Sequence, residues 1–490
     1  MKLLKRMGKL HYFVNSIIFL LIFILGSLSL TAQKSLIDNK YIFSSTLGFS
    51  NTSDLPFWSR VNQYGQAPAS GNFIQLSGSA YHDYDSLLTR NKKLQPWGLG
   101  YGLGLTGNLT TNKSVLLLPE AYLKIRHKNW AFYAGRRKEI FGLTDSAMTS
   151  GSYIWSGNAL PMPKVQIHTP SFVPVGKKGL ISYKAGISHG WFGKDSIIQN
   201  YWLHQKWLYG KVGKGKVQFM AGLNHQVQWG GYSEILKNVG GQYPPTIDGY
   251  LAPKPLYSYQ YILLPFLQKF VPPSPEKVPA YDGGLAIGNQ LGSVDIALQV
   301  KLSSATLLIY KQQPYDFARS IVNLNNVEDG LHGISWSRHT SGMLDKVILE
   351  FFNSKSQGRF RFGQYNASNF GEIDNYFSHG QYQSWSYQGV ILGNPFILKN
   401  PVNGRISNNR LHYFYLGLSG QVGSIHYFSR QVYSRNFGTY AAALSSNQYS
   451  GSFELSYPLR RQNFIVRVAW DKGNVYPSVL GWQTSYTFSL

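Results

Sequence analysis

Amide, aromatic and imidazole side chains occur together in short clusters of this chain. The first cluster contains Asn224, His225, Gln228 and Trp229, at the end of a predicted strand. Aromatic rings pack against the apolar faces of sugar rings, and planar amides make paired hydrogen bonds to hydroxyl groups. This mixture predicts carbohydrate binding. The alternative interpretation is an aromatic girdle with a polar collar, which has a structural role alone.

Further clusters have a similar composition, and their members are Asn375, Tyr376, Tyr382, Trp385 and Asn394, followed by Arg410 and Asn436. Three consecutive cations occur at Arg136, Arg137 and Lys138. Adjacent residues of a strand point to opposite faces, so one face carries either Arg136 with Lys138 or Arg137 alone. Guanidinium groups bind carboxylates through paired hydrogen bonds. These positions therefore extend the predicted glycan site.

Catalytic patterns are missing from the sequence. It has no His-Glu-x-x-His motif, no Cys, and only 22 Asp and Glu residues; its Gly-x-Ser-x-Gly match, residues 186–190, lies in a segment of strand-like alternation and not at a strand-to-helix turn. Glu328 and Asp329 could serve as an acid and base pair, but carboxylates before a Gly more often stabilise a turn. The 12 His residues lack metal-ligand spacing. We expect no enzyme, no cofactor and no metal.

Apolar and small or polar residues alternate with a period of two in many segments. In residues 97–105, Trp97, Leu99, Tyr101 and other apolar residues alternate with Gly. Strands send alternate side chains to opposite faces. The pattern repeats along the chain and ends in an amphipathic aromatic segment at 482–490. It predicts an all-β, transmembrane antiparallel barrel, with a soluble sandwich as the alternative for any single strand.

The spacing of these segments predicts about 16–18 strands, at about 25 residues for each strand and turn. One predicted strand, 115–126, puts a set of apolar side chains on the lipid face: Val115, Leu117, Ala121, Leu123 and Ile125. Two long segments, 138–175 and 240–281, break the alternation, and the second contains nine Pro with a predicted helix at 259–269. Long loops often carry function, and we expect these to cover the barrel mouth or enter its lumen.

Residues 1–32 have the features of a signal peptide. Four cations precede an apolar run, and small residues offer cleavage before Gln33. Removing these cations lowers the formal net charge from +25 to +21. Basic surfaces attract nucleic acid, anionic lipid or acidic polysaccharide, and export argues against nucleic acid. We therefore expect one outer-membrane barrel domain over residues 33–490.

An ordered set of motifs resembles the capsule assembly Wzi family of the Bacteroidetes type. The matching stretches include Ser156-Gly157-Asn158-Ala159, His189-Gly190-Trp191-Phe192, Gly222-Leu223-Asn224-His225, Gln228-Trp229-Gly230-Gly231, Asp329-Gly330-Leu331, Asn375-Tyr376, Gly393-Asn394-Pro395 and Asn409-Arg410. The resemblance spans residues 45–490. It implies an outer-membrane lectin barrel of about 18 strands that helps to hold exported capsular polysaccharide on the cell surface without exporting it.

The functional prediction is a non-catalytic glycan-binding barrel that helps to attach or assemble exported capsular polysaccharide. Its expected partners are capsular or other surface polysaccharide, outer-membrane lipids with lipopolysaccharide, and the barrel assembly machinery. Asn158 and Asp329 join the residues above as candidate glycan contacts. The alternative is a porin or sugar-specific channel, since a barrel of this size can enclose a water-filled lumen. A third hypothesis is an outer-membrane hydrolase.

Overall fold

The computed structural model describes residues 39–68, 71–83, 96–284, 286–316, 326–358 and 374–490. The strands are β1 Asn39–Ser50, β2 Phe73–His82, β3 Trp97–Thr110, β4 Ser114–His127, β5 Trp130–Arg136, β6 Pro163–His168, β7 Val173–Val175, β8 Ile181–Lys194, β9 Gln199–Val212, β10 Val217–Trp229, β11 Asn289–Lys301, β12 Ala305–Tyr315, β13 Gly330–Arg338, β14 Lys346–Asn353, β15 Ser378–His379, β16 Gln383–Ser384, β17 Ser386–Tyr387, β18 Val390–Ile391, β19 Leu398–Lys399, β20 Ile406–Asn408, β21 Leu411–Val422, β22 Ile425–Gly438, β23 Ala443–Leu459, β24 Gln462–Gly473 and β25 Val479–Ser489. The helices are α1 Phe57–Arg60, α2 Glu234–Lys237, α3 Pro255–Leu263, α4 Leu267–Phe270 and α5 Ala280–Gly284.

Nineteen of these strands form one closed antiparallel sheet, from β1 to β14 and from β21 to β25. Each strand pairs with its neighbours, and β1 pairs with β25 from Ile42 with Ser489 to Ser50 with Gly481. The short strands β6 and β7 pair with different parts of β8 and share one position in the wall. The barrel thus has 18 wall positions, which confirms the predicted fold and strand count.

The apolar residues and the small or polar residues that alternate in the sequence lie on opposite faces of the barrel wall. Leu99 is 66% exposed on the outside of β3, whereas Gly98 and Gly100 face inward against Arg126 and Lys124 of β4. Apolar side chains of the other wall strands are exposed in the same way. A closed sheet leaves no unpaired edge, so this apolar exterior is suited to hydrocarbon.

One predicted face is wrong in its first half. A bulge shifts the β3–β4 register between Gly104 and Thr106, so that Leu117 pairs with the buried Thr106 and points inward. Leu116 and Leu118 face outward in place of Val115 and Leu117, while Leu123 keeps its predicted outward position. The bulge adds a residue to β4 next to Pro119, and one extra residue reverses the faces of a strand.

The two barrel ends differ in the length of their connections. Residues 128–129, 423–424 and 460–461 make tight turns at the end where β1 begins and β25 ends. The described parts of the long connections 137–162, 230–288 and 354–410 lie at the opposite end. Outer-membrane barrels have short periplasmic turns and long extracellular loops, so the long connections mark the extracellular end.

The long connections occupy two places. Residues 51–66, 137–162 and 374–409, which we call the plug, fill the lumen and contribute most members of a large buried aromatic cluster. Residues 230–284, which we call the flap, pack on the outer wall of β8–β10 through a second apolar cluster. Residues 138–162 enter the lumen as predicted, but the prediction of a loop without strands is wrong for 163–168 and 173–175, which form β6 and β7 of the wall. In β6, Val165 and Ile167 alternate with Lys164 and Gln166, the pattern of the other wall strands. The 240–281 segment also covers the outside of the wall. No helix among the described residues is long and apolar enough to cross a membrane.

The predicted signal peptide, residues 1–32, lies outside the described part of the chain. Its cleavage before Gln33 stays a prediction, as does the assignment of residues 33–490 to a single domain.

Candidate functional site: the lumenal plug and the extracellular rim

Glu350, on the inner face of β14, anchors the plug to the wall. Its carboxylate accepts hydrogen bonds from Thr149 Oγ1 at 2.6 Å and from the Ser150 amide at 2.7 Å. The hydroxyl groups of Ser150 and Tyr310 also donate to it. A buried carboxylate is tolerated where donors replace its lost water. This anchor holds residues 149–150 against one side of the lumen.

A second anchor joins the plug to β11 and β12. Asp295 Oδ2 accepts hydrogen bonds from the Leu143 amide at 2.8 Å and from Gln312 Nε2 at 3.0 Å. Gln312 Oε1 accepts the Tyr153 amide at 2.8 Å. Gly142 has a φ of +118°, and a Cβ at this position would lie 1.9 Å from Gln312 Nε2. The approach of the plug to the wall therefore requires Gly at 142.

Aromatic contacts carry the plug across the whole lumen. Phe141 contacts Trp207 of β9 with ring centroids 4.8 Å apart, and Phe396 contacts Tyr413 of β21 at 4.1 Å. The α1 segment is fixed by the Phe57 amide, which donates to Asp471 Oδ2 at 2.8 Å. These contacts reach strands on different sides of the barrel. The extracellular half of the lumen is thus packed like a protein core.

The first predicted cluster is divided between the two faces of β10. Asn224 and Gln228 face the lumen, and Gln228 Nε2 donates to the Ser384 carbonyl of the plug at 3.2 Å. His225 and Trp229 face outward, as do the other odd-numbered residues of the strand. Trp229 is buried under the flap, 5.5 Å from the ring of Tyr259. The four residues therefore do not form one site.

The second predicted cluster belongs to the plug itself. Asn394 Nδ2 donates to the Gly151 carbonyl at 3.0 Å and to Tyr413 OH at 2.8 Å. Tyr382 OH donates to the Gly230 carbonyl at 3.2 Å, and Trp385 is completely buried. These side chains hold the plug segments to one another and to the wall.

Asp329 and Tyr376 form a buried hydrogen-bonded turn. The Asp329 carboxyl group accepts the Gln357 amide at 2.6 Å and Tyr376 OH at 2.9 Å. Burial raises the pKa of Asp329 to about 7, although these donors act in the opposite direction. The charge of Glu328 adds to the rise in the pKa of Asp329, and the Glu328 backbone carbonyl accepts a hydrogen bond from Asn353 Nδ2 at 3.2 Å. The geometry is that of a structural turn.

Asn158 and Asn436 also have structural partners. Asn158 Nδ2 donates to the Ile391 carbonyl at 3.1 Å, and its Oδ1 accepts the Asn62 amide at the same distance. Asn436 Oδ1 accepts Asn408 Nδ2 at 2.7 Å. Both side chains are buried.

Three of the predicted glycan contacts remain accessible to solvent. Asn375 is exposed, and Arg136 and Arg410 are partly exposed, while the other predicted contacts are buried. Arg136 Nη1 donates to the Pro161 carbonyl at 3.0 Å, which places it beside the plug. The glycan-binding role of the whole set stays a prediction, and these three residues are the ones that can reach a large external ligand in this arrangement.

Cations and aromatic rings meet at the extracellular edge of β14 and β21–β23. The Arg410 guanidinium lies 3.8 Å from the Tyr440 ring centroid, and Arg410 Nε donates to the Lys355 carbonyl at 3.0 Å. Lys355 Nζ and the Arg435 guanidinium lie 4.5 and 5.8 Å from the Phe437 ring. We call these residues the rim cluster. No ion pair among the described residues includes its cations.

Sequence reasoning identified Arg410 in the rim cluster but did not select Lys355, Phe437 or Tyr440 as site residues. Lys355 and Tyr440 lie two residues beyond the ends of β14 and β22, and Phe437 is the next-to-last residue of β22. Their proximity depends on the pairing of β14 with β21 and of β21 with β22. In the sequence, the signal for these residues was a cation or aromatic residue close to a predicted strand end. Such a residue does not indicate which loops lie side by side.

Comparison with protein-family models finds no match, and comparison with curated proteins finds none. Among solved structures, Pseudomonas aeruginosa OccK5 (OpdH) is similar with a TM-score of 0.45 and 9% identity, over 92% of this chain and 98% of that chain. A BenF-like porin from Pseudomonas fluorescens Pf-5 is similar with a TM-score of 0.44 and 8% identity, over 93% and 99% of the two chains. The resemblance to the capsule assembly family is not confirmed by these comparisons.

The closed sheet, its apolar exterior, and its short connections at one end with long connections at the other indicate a location in the outer membrane. The chain is an outer-membrane β-barrel. In this barrel a cavity of about 190 Å³ lies in the lumen beside the plug, lined by residues such as Trp58, Tyr64, Phe428 and Arg430. The described residues contain no group of three or more His, Asp or Glu that could hold a metal ion.

Proposed function

We propose that this outer-membrane barrel is a non-catalytic polysaccharide-binding protein that helps to attach or assemble exported capsular polysaccharide at the cell surface. The observation that carries the proposal is the plug, which fills the extracellular half of the lumen and is hydrogen-bonded to the wall. Such a barrel offers its extracellular surface for binding. Fixed Arg and aromatic groups at that surface suit an acidic or neutral glycan.

Arg410 and Tyr440 are the proposed primary contacts, because the two side chains are stacked and partly exposed. Arg136 and Asn375 offer further polar contacts at the same end of the barrel. A polymer that touches several such positions gains affinity from many weak contacts. This arrangement would retain a long polysaccharide without a deep pocket.

The test is polysaccharide retention by cells that carry the double variant Arg410→Gln, Tyr440→Ala. We expect the affinity for purified polysaccharide to fall about tenfold, since the variant loses a guanidinium and its aromatic partner. Attached polysaccharide should fall while total exported polysaccharide stays constant. Lys113→Gln, which removes an exposed cation from the β3–β4 turn at the same end, is the control. Unchanged retention and affinity in the double variant would contradict the proposal.

A porin or sugar-specific channel is the second candidate. The inner wall near the periplasmic end carries polar and charged groups, including Arg467, which forms an ion pair with Glu454 at 2.5 Å. A polar lumen of this kind suits a solute path. Single-channel conductance distinguishes this candidate from a plugged binding protein.

A further inference from the structure

An apolar groove of about 750 Å³ lies on the outer wall, across β11–β14 and β21–β23. Its lining includes Ile309, Ile334, Leu349 and Phe414, which are 40–61% exposed. Ile334 pairs with Ile309 and Leu349, so their outward side chains form one continuous row. The groove faces the membrane, and its shape is suited to hydrocarbon chains.

Aromatic side chains border the groove on its extracellular side. Phe351 pairs with Phe414 with ring centroids 4.8 Å apart, and Phe414 pairs with Tyr433, which pairs with Tyr449. Aromatic residues in such a row occupy the interface between hydrocarbon and head groups. The row therefore places the groove in the outer leaflet.

Cations lie directly above the aromatic row. Arg435 is two residues beyond Tyr433 on β22, pairs with His412 of β21 and is exposed. Two residues along a strand span about 7 Å. Phe437 lies next to Arg435 and Lys355, as described for the rim cluster, and neither cation has an ion-pair partner among the described residues. This position fits a phosphate at the head-group level.

We propose that this sector of the wall binds one phosphorylated glycolipid of the outer leaflet. An acyl chain occupies the groove, and the phosphate lies against Arg435 and Lys355. The charge complementarity selects the occupant, because a neutral lipid would supply no counterion to two exposed cations that have no ion-pair partner among the described residues. The aromatic row lies between the acyl and phosphate positions, where the sugar rings of a glycolipid can pack. This inference does not depend on polysaccharide binding by Arg410 and Tyr440.

The experiment uses the full-length protein in detergent micelles with purified lipid A that carries two phosphates, and native mass spectrometry measures the bound fraction. Two variants separate the two parts of the site. Arg435→Gln with Lys355→Gln should weaken binding about 30-fold, since each cation near a charged lipid surface contributes roughly fivefold. Ile334→Trp fills the groove from an outward position and should also weaken binding.

Matched controls lie in another sector of the same barrel. Lys113→Gln removes a cation at the extracellular end, and Leu123→Trp enlarges a side chain that is 72% exposed on the outer wall. Both controls should bind lipid A as the parent protein does. Lipid A without its phosphates should bind the parent protein about as weakly as the phosphorylated lipid binds the Arg435→Gln, Lys355→Gln variant.

Three results would overturn the inference. One is unchanged binding in Ile334→Trp, because the acyl chain would then lie elsewhere. Another is full competition by inorganic pyrophosphate, which would identify a site for free anions. The third is an equal loss in the Lys113→Gln or Leu123→Trp control, which would indicate general lipid association with the barrel. Polysaccharide retention is unaffected by the groove variant if the two functions are separate.

Discussion

The buried carboxylates Glu350 and Asp295 hold the plug to the barrel wall. Glu350 accepts hydrogen bonds from the amide and hydroxyl of Ser150, from Thr149 and from Tyr310, so its loss leaves several buried donors without an acceptor. Leu349, the next residue in β14, faces the membrane and is 53% exposed. Adjacent positions of one strand therefore offer a variant and its control.

We expect Glu350→Ala to destabilise the protein by about 3 kcal/mol or more, because buried donors lose a charged acceptor. Leu349→Ala should cost less than about 1 kcal/mol, because lipid or detergent fills the space. The midpoint of the heat-induced mobility shift in gel electrophoresis measures both. Equal midpoints for the two variants would indicate that Glu350 does not hold the plug.

Sequence patterns predict residue environments on the wall but not in the plug. The side chains of Asn224 and His225 point in opposite directions simply because they are adjacent in a strand. By contrast, the partner of Glu350 lies 200 residues away at Ser150, in a segment without periodicity. Most predicted glycan contacts have the polar and aromatic composition of a ligand site, but they are buried in contacts with the plug, the wall or the flap.

At the scale of elements, the flap shows how one proline divides a helix. The predicted helix at 259–269 is two helices, α3 ending at Leu263 and α4 beginning at Leu267. Pro265 lacks an amide donor and disfavours a helical Leu264. Lys206 of β9 donates to the carbonyls of Ile262 and Leu263, so the end of α3 is capped from the barrel wall.

The flap contacts the plug where the Tyr281 ring meets His379. We expect Asp282 of the flap and His379 of the plug to change the stability of this contact in opposite directions as the pH changes. Burial raises the pKa of Asp282 to about 7, against donors from Gly288 and Gln381, and burial lowers the pKa of His379 to about 4. The Asp282 contribution to docking is present near pH 4 and is lost as the pH rises through 7. The His379 contribution is present above pH 6.5 and is lost as the pH falls towards 4.

The two contributions nearly cancel between about pH 4 and 6.5 in the parent protein, since each changes by up to about 1.4 kcal/mol per pH unit. In Asp282→Asn, protection of residues 255–284 should increase as the pH rises across this window. In His379→Gln it should decrease. Hydrogen exchange followed by mass spectrometry, corrected for the intrinsic rate, measures both slopes. Slopes of the same sign in the two variants would contradict the assignment.

At the scale of the whole molecule, the closed wall and the entry of a long loop into the lumen were predictable, but the contacts that hold the plug were not. Strand count and closure follow from a period of two that the membrane imposes on every wall segment. The plug follows no such rule, because its hydrogen bonds to the wall join residues that are distant in the sequence. The bulge at Pro119 is a similar case, since a single added residue reverses a face without changing the composition of the strand.

A filled lumen predicts low ion conductance for the intact barrel. We expect planar bilayers containing the protein to show little steady current at moderate voltage, because the plug contacts the wall on several sides. Replacing residues 143–155 with a Gly/Ser linker of equal length should produce steady openings. The same replacement at 240–250, in the flap, should leave the conductance unchanged. Large steady openings of the unaltered protein would favour the channel.

The pairing of β1 with β25 has a consequence for biogenesis. Neither strand can saturate its outer hydrogen bonds until the other arrives, and some 430 residues separate Asn51 from its partner Leu480. Insertion of one hairpin after another therefore cannot yield a finished wall. We expect the sheet to curl around residues 137–162 while its two edge strands are still unpaired, and the β1–β25 pairing to form last. Because this pairing is non-local, we expect closure of the barrel to be slow. The open barrel, with two unpaired edge strands, is then the state most prone to misfolding.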